Sequence, residues 1–159
     1  MNITLEPEVF RVRLGGIETT DEIVSNLGFP ANELITQENF PIQPHAAIEE
    51  VEIQIVDPNR NFREEEGLVI LAEVKLERPT YEHGIRFSQQ HGRIMTSSNK
   101  KPFVLFLHEA WKDPEGVSRI LCLFRSPDRR WLHLDCLSIG FFDTCVLAGV
   151  LPCKRSSRI

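Results

Sequence analysis

The last third of the chain constrains the fold most. Four apolar runs, residues 103–107, 118–124, 130–137 and 142–150, are separated by Lys112-Asp113-Pro114-Glu115-Gly116, Ser126-Pro127-Asp128-Arg129 and Ser138-Ile139-Gly140. Each run has strand length, and each connection is rich in residues that turn the backbone. The spacing predicts a four-strand antiparallel meander. Its middle hairpin can be aligned by hand. A four-residue turn at 126–129 sets Phe124 opposite Trp131, Leu123 opposite Leu132, Cys122 opposite His133, Leu121 opposite Leu134 and Ile120 opposite Asp135. Since side chains alternate across a sheet, Leu121, Leu123, Leu132 and Leu134 share a core face. Ile120, Cys122, Phe124, Trp131, His133 and Asp135 fall on the other.

The first half is less regular. Residues 9–14 largely alternate apolar and basic, as a half-buried strand does. Thr19 to Glu22 offer cap side chains and first-turn carboxylates for a short helix over 20–27, which Gly28 and Pro30 end. Residues 30–44 read as a loop, with Leu34, Ile35, Phe40 and Ile42 turned toward the body of the domain. In residues 48–56, Val51, Ile53 and Ile55 alternate with Glu50, Glu52 and Gln54, the period of a strand with one wet face. The apolar run 68–76 is read as a second strand, paired with 48–56 as an N-terminal hairpin across a long charged loop. Thr80 opens a helix over 81–91 that Gly92 stops, although Gly84 within it costs about 1 kcal/mol relative to alanine. The expected fold is α+β: a mostly antiparallel sheet, built from the C-terminal four-strand meander and the N-terminal hairpin, with two or three short helices packed on it. Residues 1–159 suit one domain, with residues 1–5 and the basic tail 154–159 expected to fray. Residues 93–101 are polar and read as a mobile loop or lid.

Composition narrows the setting. No apolar run reaches the roughly 18 residues of a membrane span, and the N-terminus lacks the basic-then-apolar order of a secretory signal. Cys122, Cys136, Cys145 and Cys153 contain no Cys-x-x-Cys pair, the tight knuckle that structural zinc sites use. Reduced thiols, no metal and a cytoplasmic location are the expectations. Charge is uneven: residues 1–79 carry 6 Lys+Arg against 16 Asp+Glu, and residues 80–159 carry 12 against 7. This division suits an acidic and a basic surface, or two segments that attract each other within one fold.

Three places could carry chemistry. On the second meander face, Cys122 and His133 could form a thiolate–imidazole pair with Asp135 as orienting group. The competing reading has helix 81–91 covering Cys122 and Phe124 while His133 and Asp135 reach solvent. His108-Glu109 begins like a zincin motif, but Lys112 stands where the second histidine belongs and the segment is strand-like. His108, Glu109 and Trp111 at a strand end, with Trp131, remain candidates for a binding surface. His83 and His91 lie about 12 Å apart along a helix and cannot share one ion. Arg119, Arg125, Arg129, Arg130, Lys154, Arg155 and Arg158 beside Trp131 and Phe124 would suit a nucleic acid, but a pI near 5.6 argues against one. No phosphate loop is present, and nothing implies a cofactor. The expected function is therefore a non-enzymatic protein-interaction or regulatory module, binding a protein partner or a second copy. A small enzyme or ligand-binding domain using the Cys/His/Asp face is the alternative, and nucleic-acid binding by the basic half is the second.

Overall fold

The computed structural model describes residues 2–93 and 100–153, the side chains of His45 and Ala46 excepted. Its order is β1 (Thr4–Gly16), α1 (Thr20–Ser25), β2 (His45–Asp57), α2 (Glu64–Glu73), α3 (Tyr81–His91), β3 (Phe103–Lys112), β4 (Ser118–Arg125), β5 (Arg130–Cys136) and β6 (Cys145–Val150). The six strands form one mixed, mostly antiparallel sheet in the order β1-β2-β6-β3-β4-β5. The fold is α+β, as the sequence predicts.

The β4–β5 hairpin adopts the expected register at every pair from Ile120↔Asp135 to Arg125↔Arg130. Residues 103–136 are thus a three-strand meander. The fourth expected strand leaves it: β6 runs parallel to β3 on one side and antiparallel to β2 on the other. Every residue of β6 is buried, as a strand covered on both faces requires. Since β5 and β6 both run parallel to β3, residues 137–144 must cross back over the sheet to link them. Phe141 in that crossover bridges to Phe62 and sinks into the core.

The N-terminal hairpin has a different partner from the one expected. β2 pairs with β1, and residues 64–73 form α2. A short continuous apolar run has no period to separate strand from helix. Here Glu64, Glu65 and Glu66 fill the first turn, where the helix dipole favours carboxylates, and Glu66 accepts from the Arg63 N–H. At the other end the Lys75 N–H donates to Ala72 O and the Leu76 N–H to Leu71 O, a Schellman closure.

Both faces of the sheet are covered. On one, Phe10, Val12, Ile53, Ile55, Val104, Phe106, Leu121, Leu123, Leu132, Leu134, Val146 and Ala148 pack with Ile23 of α1, Ile85 and Phe87 of α3, and Ile35, Phe40 and Ile42 of the 26–44 loop. On the other, Leu105, Leu107, Ile120, Cys122, Cys145 and Leu147 pack with Ile70 and Leu71 of α2, Phe62 and Phe141. Gly84 is where α3 meets the sheet: a Cβ there would lie 3.0 Å from the Phe106 ring and 3.1 Å from Leu121, which accounts for a glycine inside a helix. The sheet curls around α3, which touches β1 on one side and β3 and β4 on the other. The curl brings Glu6 of β1 to Arg125 of β4, 2.7 Å apart across three intervening strands.

The charge asymmetry is partly spent inside the fold. Arg86, Lys100, Lys101 and Arg125 of the basic half pair with Glu18, Glu6, Glu8 and Asp57 of the acidic half. No helix among the described residues is long and apolar enough to cross a membrane.

Lys75 holds a left-handed φ of 62° at the C′ position of α2, where a Cβ is unfavourable by about 1–2 kcal/mol. Replacing it with glycine relieves that strain but adds freedom to the unfolded chain. Lys75→Gly is expected to stabilise the protein by about 0.5–1 kcal/mol and raise Tm by about 2 °C, read by thermal denaturation. An unchanged or lower Tm contradicts this account of the helix end.

Candidate functional site: an aromatic pocket at the β3 bulge

β3 and β4 pair regularly up to Phe106↔Leu121 and resume at Trp111↔Arg119, so residues 107–110 bulge out of the ladder. His108 fills the gap. It is 1% exposed; its Nε2 accepts from the Leu121 N–H at 3.0 Å, and its Nδ1 donates to Glu109 O at 2.7 Å. Those two bonds require a neutral ring protonated on Nδ1. Burial lowers its pKa, against the bond to Glu109 O, which raises it, and the nearby Arg78 adds to the lowering. The bulge's carbonyls are held from outside the sheet: Arg78 Nε donates to Leu107 O at 2.7 Å and Nη2 to His108 O at 3.1 Å, with Glu64 beyond it at 3.4 Å.

The bulge turns Glu109, Ala110 and Trp111 toward two neighbouring segments. One is the start of α3. The Thr80 hydroxyl accepts from the His83 N–H, and His83 Nδ1 accepts from the Thr80 N–H at 2.8 Å, a capping box closed by an imidazole in place of the usual Glu or Gln. Burial lowers the His83 pKa, against Glu82, Glu49 and Glu77, which raise it. The other segment is the 26–44 loop, where Phe40 is seated by its N–H on Thr36 O and by the Thr20 hydroxyl on its carbonyl.

Together these elements enclose a pocket of about 400 Å³ lined by Asn39, Phe40, Arg78, Pro79, Thr80, Tyr81, His108, Glu109, Ala110 and Trp111, within the size range of small-ligand sites. Its walls are aromatic. The ring centroids of Phe40 and Tyr81 are 5.5 Å apart, and those of Phe40 and Trp111 are 5.1 Å apart. The Tyr81 hydroxyl donates to Pro41 O, and burial raises its pKa. Three of the four residues expected at a binding surface, His108, Glu109 and Trp111, thus converge. His108 serves as scaffold, whereas Trp111 is half-buried and Glu109 exposed. Phe40 and Tyr81 were missed as site residues. Phe40 is recognisable in the sequence only as a recurrent apolar residue of a loop, and Tyr81 only as a first-turn helix residue.

Trp131, the fourth candidate, lies elsewhere. It is 44% exposed and stacks on His133 with centroids 4.7 Å apart. Phe103 and Phe124 continue an aromatic row beside it. Cys122, His133 and Asp135 do occupy one face, as the hairpin register requires. Among the described residues no hydrogen bond links their side chains, and His133 Nε2 is buried without a partner. The helix on the Cys122 face is α2; α3 covers the opposite, leucine-lined face. Cys122 has no exposed surface, and burial, with Asp135 and Cys145 nearby, pushes its thiol well up. Burial lowers His133 and raises Asp135. A protonated thiol with no solvent access lacks the reactivity a nucleophile needs.

The basic residues are largely committed. Arg119 pairs with Asp113 at 2.7 Å, Arg125 pairs with Glu6, and Arg130 Nε donates to Gly92 O. Lys154, Arg155 and Arg158 lie outside the described residues, as do residues 94–99 of the loop read as a lid. Among the described residues no three His, Cys, Asp or Glu side chains gather as metal ligands would.

The four cysteines are free and differ in state. Burial raises Cys145 to about 11. Cys136 is lowered by its hydrogen bond with Ser138, 3.0 Å away, and by Arg119, and Cys153 is exposed. A chromogenic disulfide reagent is expected to titrate Cys136 and Cys153 in the native protein and the other two only after unfolding. Fast labelling of Cys122 would restore the nucleophile reading.

No protein-family model matches the chain, no curated protein matches its sequence, and no solved structure matches its fold.

Proposed function

We propose that this protein is a non-enzymatic interaction module that docks a segment of a partner protein at the pocket formed by Phe40, Tyr81, Trp111 and Glu109. The observation that carries the reading is the pocket itself. Its aromatic walls are assembled from three separate segments and its floor is fixed by a histidine whose two nitrogens are both bonded to backbone. Rigid aromatic side chains at a concave site offer large contact area at little entropic cost, which is why such residues dominate binding hot spots. A catalytic role has no comparable support. Of the groups with shifted pKa values nearest the pocket, His108 spends both ring nitrogens on structure and His83 spends its Nδ1 on the helix cap.

The chain contains two tryptophans, so Trp131→Phe leaves Trp111 as the sole indole reporter. Peptides selected from a displayed random library on the full-length protein are expected to alter Trp111 emission on titration. In the otherwise native chain, Trp111→Ala should weaken them at least tenfold, about 1.4 kcal/mol, while Trp131→Ala leaves their affinity unchanged. Peptides that bind Trp111→Ala as tightly as the native protein would show that docking occurs elsewhere.

A further inference from the structure

The pocket's polar groups bear on what it takes. Glu109 is exposed at the rim, and no ion pair or side-chain hydrogen bond occupies its carboxylate among the described residues. The cation in the lining, Arg78, is committed to Leu107 O, His108 O and the Glu64 carboxylate. Glu49, Glu77 and Glu82 all act electrostatically on His83, two residues from Tyr81, so the flank beside the wall is acidic. Aromatic faces carry a negative quadrupole and attract a cation within about 6 Å of the ring centre.

An anionic group entering here would meet Glu109 and the acidic flank. A neutral apolar group would leave that carboxylate unused. A guanidinium or ammonium could stack on Trp111 or Tyr81 while pairing with Glu109, and a planar guanidinium can do both at once. Resting on the docking reading above, we infer that the pocket receives an arginine or lysine side chain from a basic segment of the partner.

The test uses the full chain carrying Trp131→Phe, with the Trp111 indole N–H followed in ¹H–¹⁵N spectra at constant ionic strength. N-acetyl-arginine amide is titrated against its neutral isostere, N-acetyl-citrulline amide. The arginine compound is expected to shift the Trp111 signal saturably, with a Kd at least fivefold below that of the citrulline compound. Glu109 is exposed, so Glu109→Gln should fold normally; it is expected to abolish the preference while leaving citrulline binding unchanged. Equal affinity for the two compounds would overturn the cation assignment and leave the docking reading in place. So would a preference that survives Glu109→Gln. No Trp111 response to the arginine compound, in a protein that still binds library-selected peptides through Trp111, would also overturn the assignment alone. Loss of both kinds of binding would remove the pocket as a docking site.

Discussion

Between Phe106 and Trp111 the backbone of β3 cannot follow β4, and the imidazole of His108 takes the place of the missing strand. Its Nε2 receives the Leu121 N–H that the ladder leaves behind, and its Nδ1–H closes on the next carbonyl, that of Glu109. Leaving a buried N–H without a partner costs about 1–3 kcal/mol, so a bulge at this depth needs such a plug. Arg78 supplies the other half by binding the bulge's outward carbonyls at Leu107 and His108. Once the bulge is held, Glu109, Ala110 and Trp111 line one wall of the pocket opposite Tyr81 and Phe40.

The remainder of the fold keeps those walls in place. The sheet curls around α3, and Gly84 lets that helix approach Phe106 closely enough to set Tyr81 beside the bulge. The Glu6–Arg125 pair, with Arg125 only 2% exposed, ties the two limbs of the curl together. Such a pair offsets its desolvation only when the geometry is good, and here Arg125 Nε also donates to Lys101 O. The opposite charges of the two halves of the chain therefore act first within the molecule. Of the carboxylates left over in the N-terminal half, Glu49 and Glu77 act on His83 at the pocket's flank.

The parts of this architecture legible in the sequence are those with a local period or a local stop. The 118–136 hairpin could be aligned residue by residue because Ser126-Pro127-Asp128-Arg129 sets the turn. The helices at 20 and 81 announce themselves through Thr19 and Thr80. Residues 68–76 and 142–150 were misassigned or mispaired because continuous apolar runs carry no period. Their roles, a helix under the sheet and a strand between β2 and β3, depend on contacts distant in sequence. The site divided in the same way. His108, Glu109 and Trp111 stood out as neighbours at a strand end, but Phe40 and Tyr81 join them only through the tertiary fold. The facing of Cys122 and His133 was readable from register, whereas the depth of Cys122 under α2 and the 137–144 crossover was not.

The most direct test of the central claim is the protonation state of His108, read from long-range ¹H–¹⁵N correlations of the imidazole rings between about pH 8 and pH 5, a range spanning the ordinary histidine pKa. If the ring plugs the bulge, it carries its proton on Nδ1 and titrates below the ordinary value of 6.5, because an N–H at Nε2 would face the Leu121 N–H. A ring protonated on Nε2, or one titrating near 6.5, would mean that the imidazole does not hold the bulge and that the pocket has some other foundation.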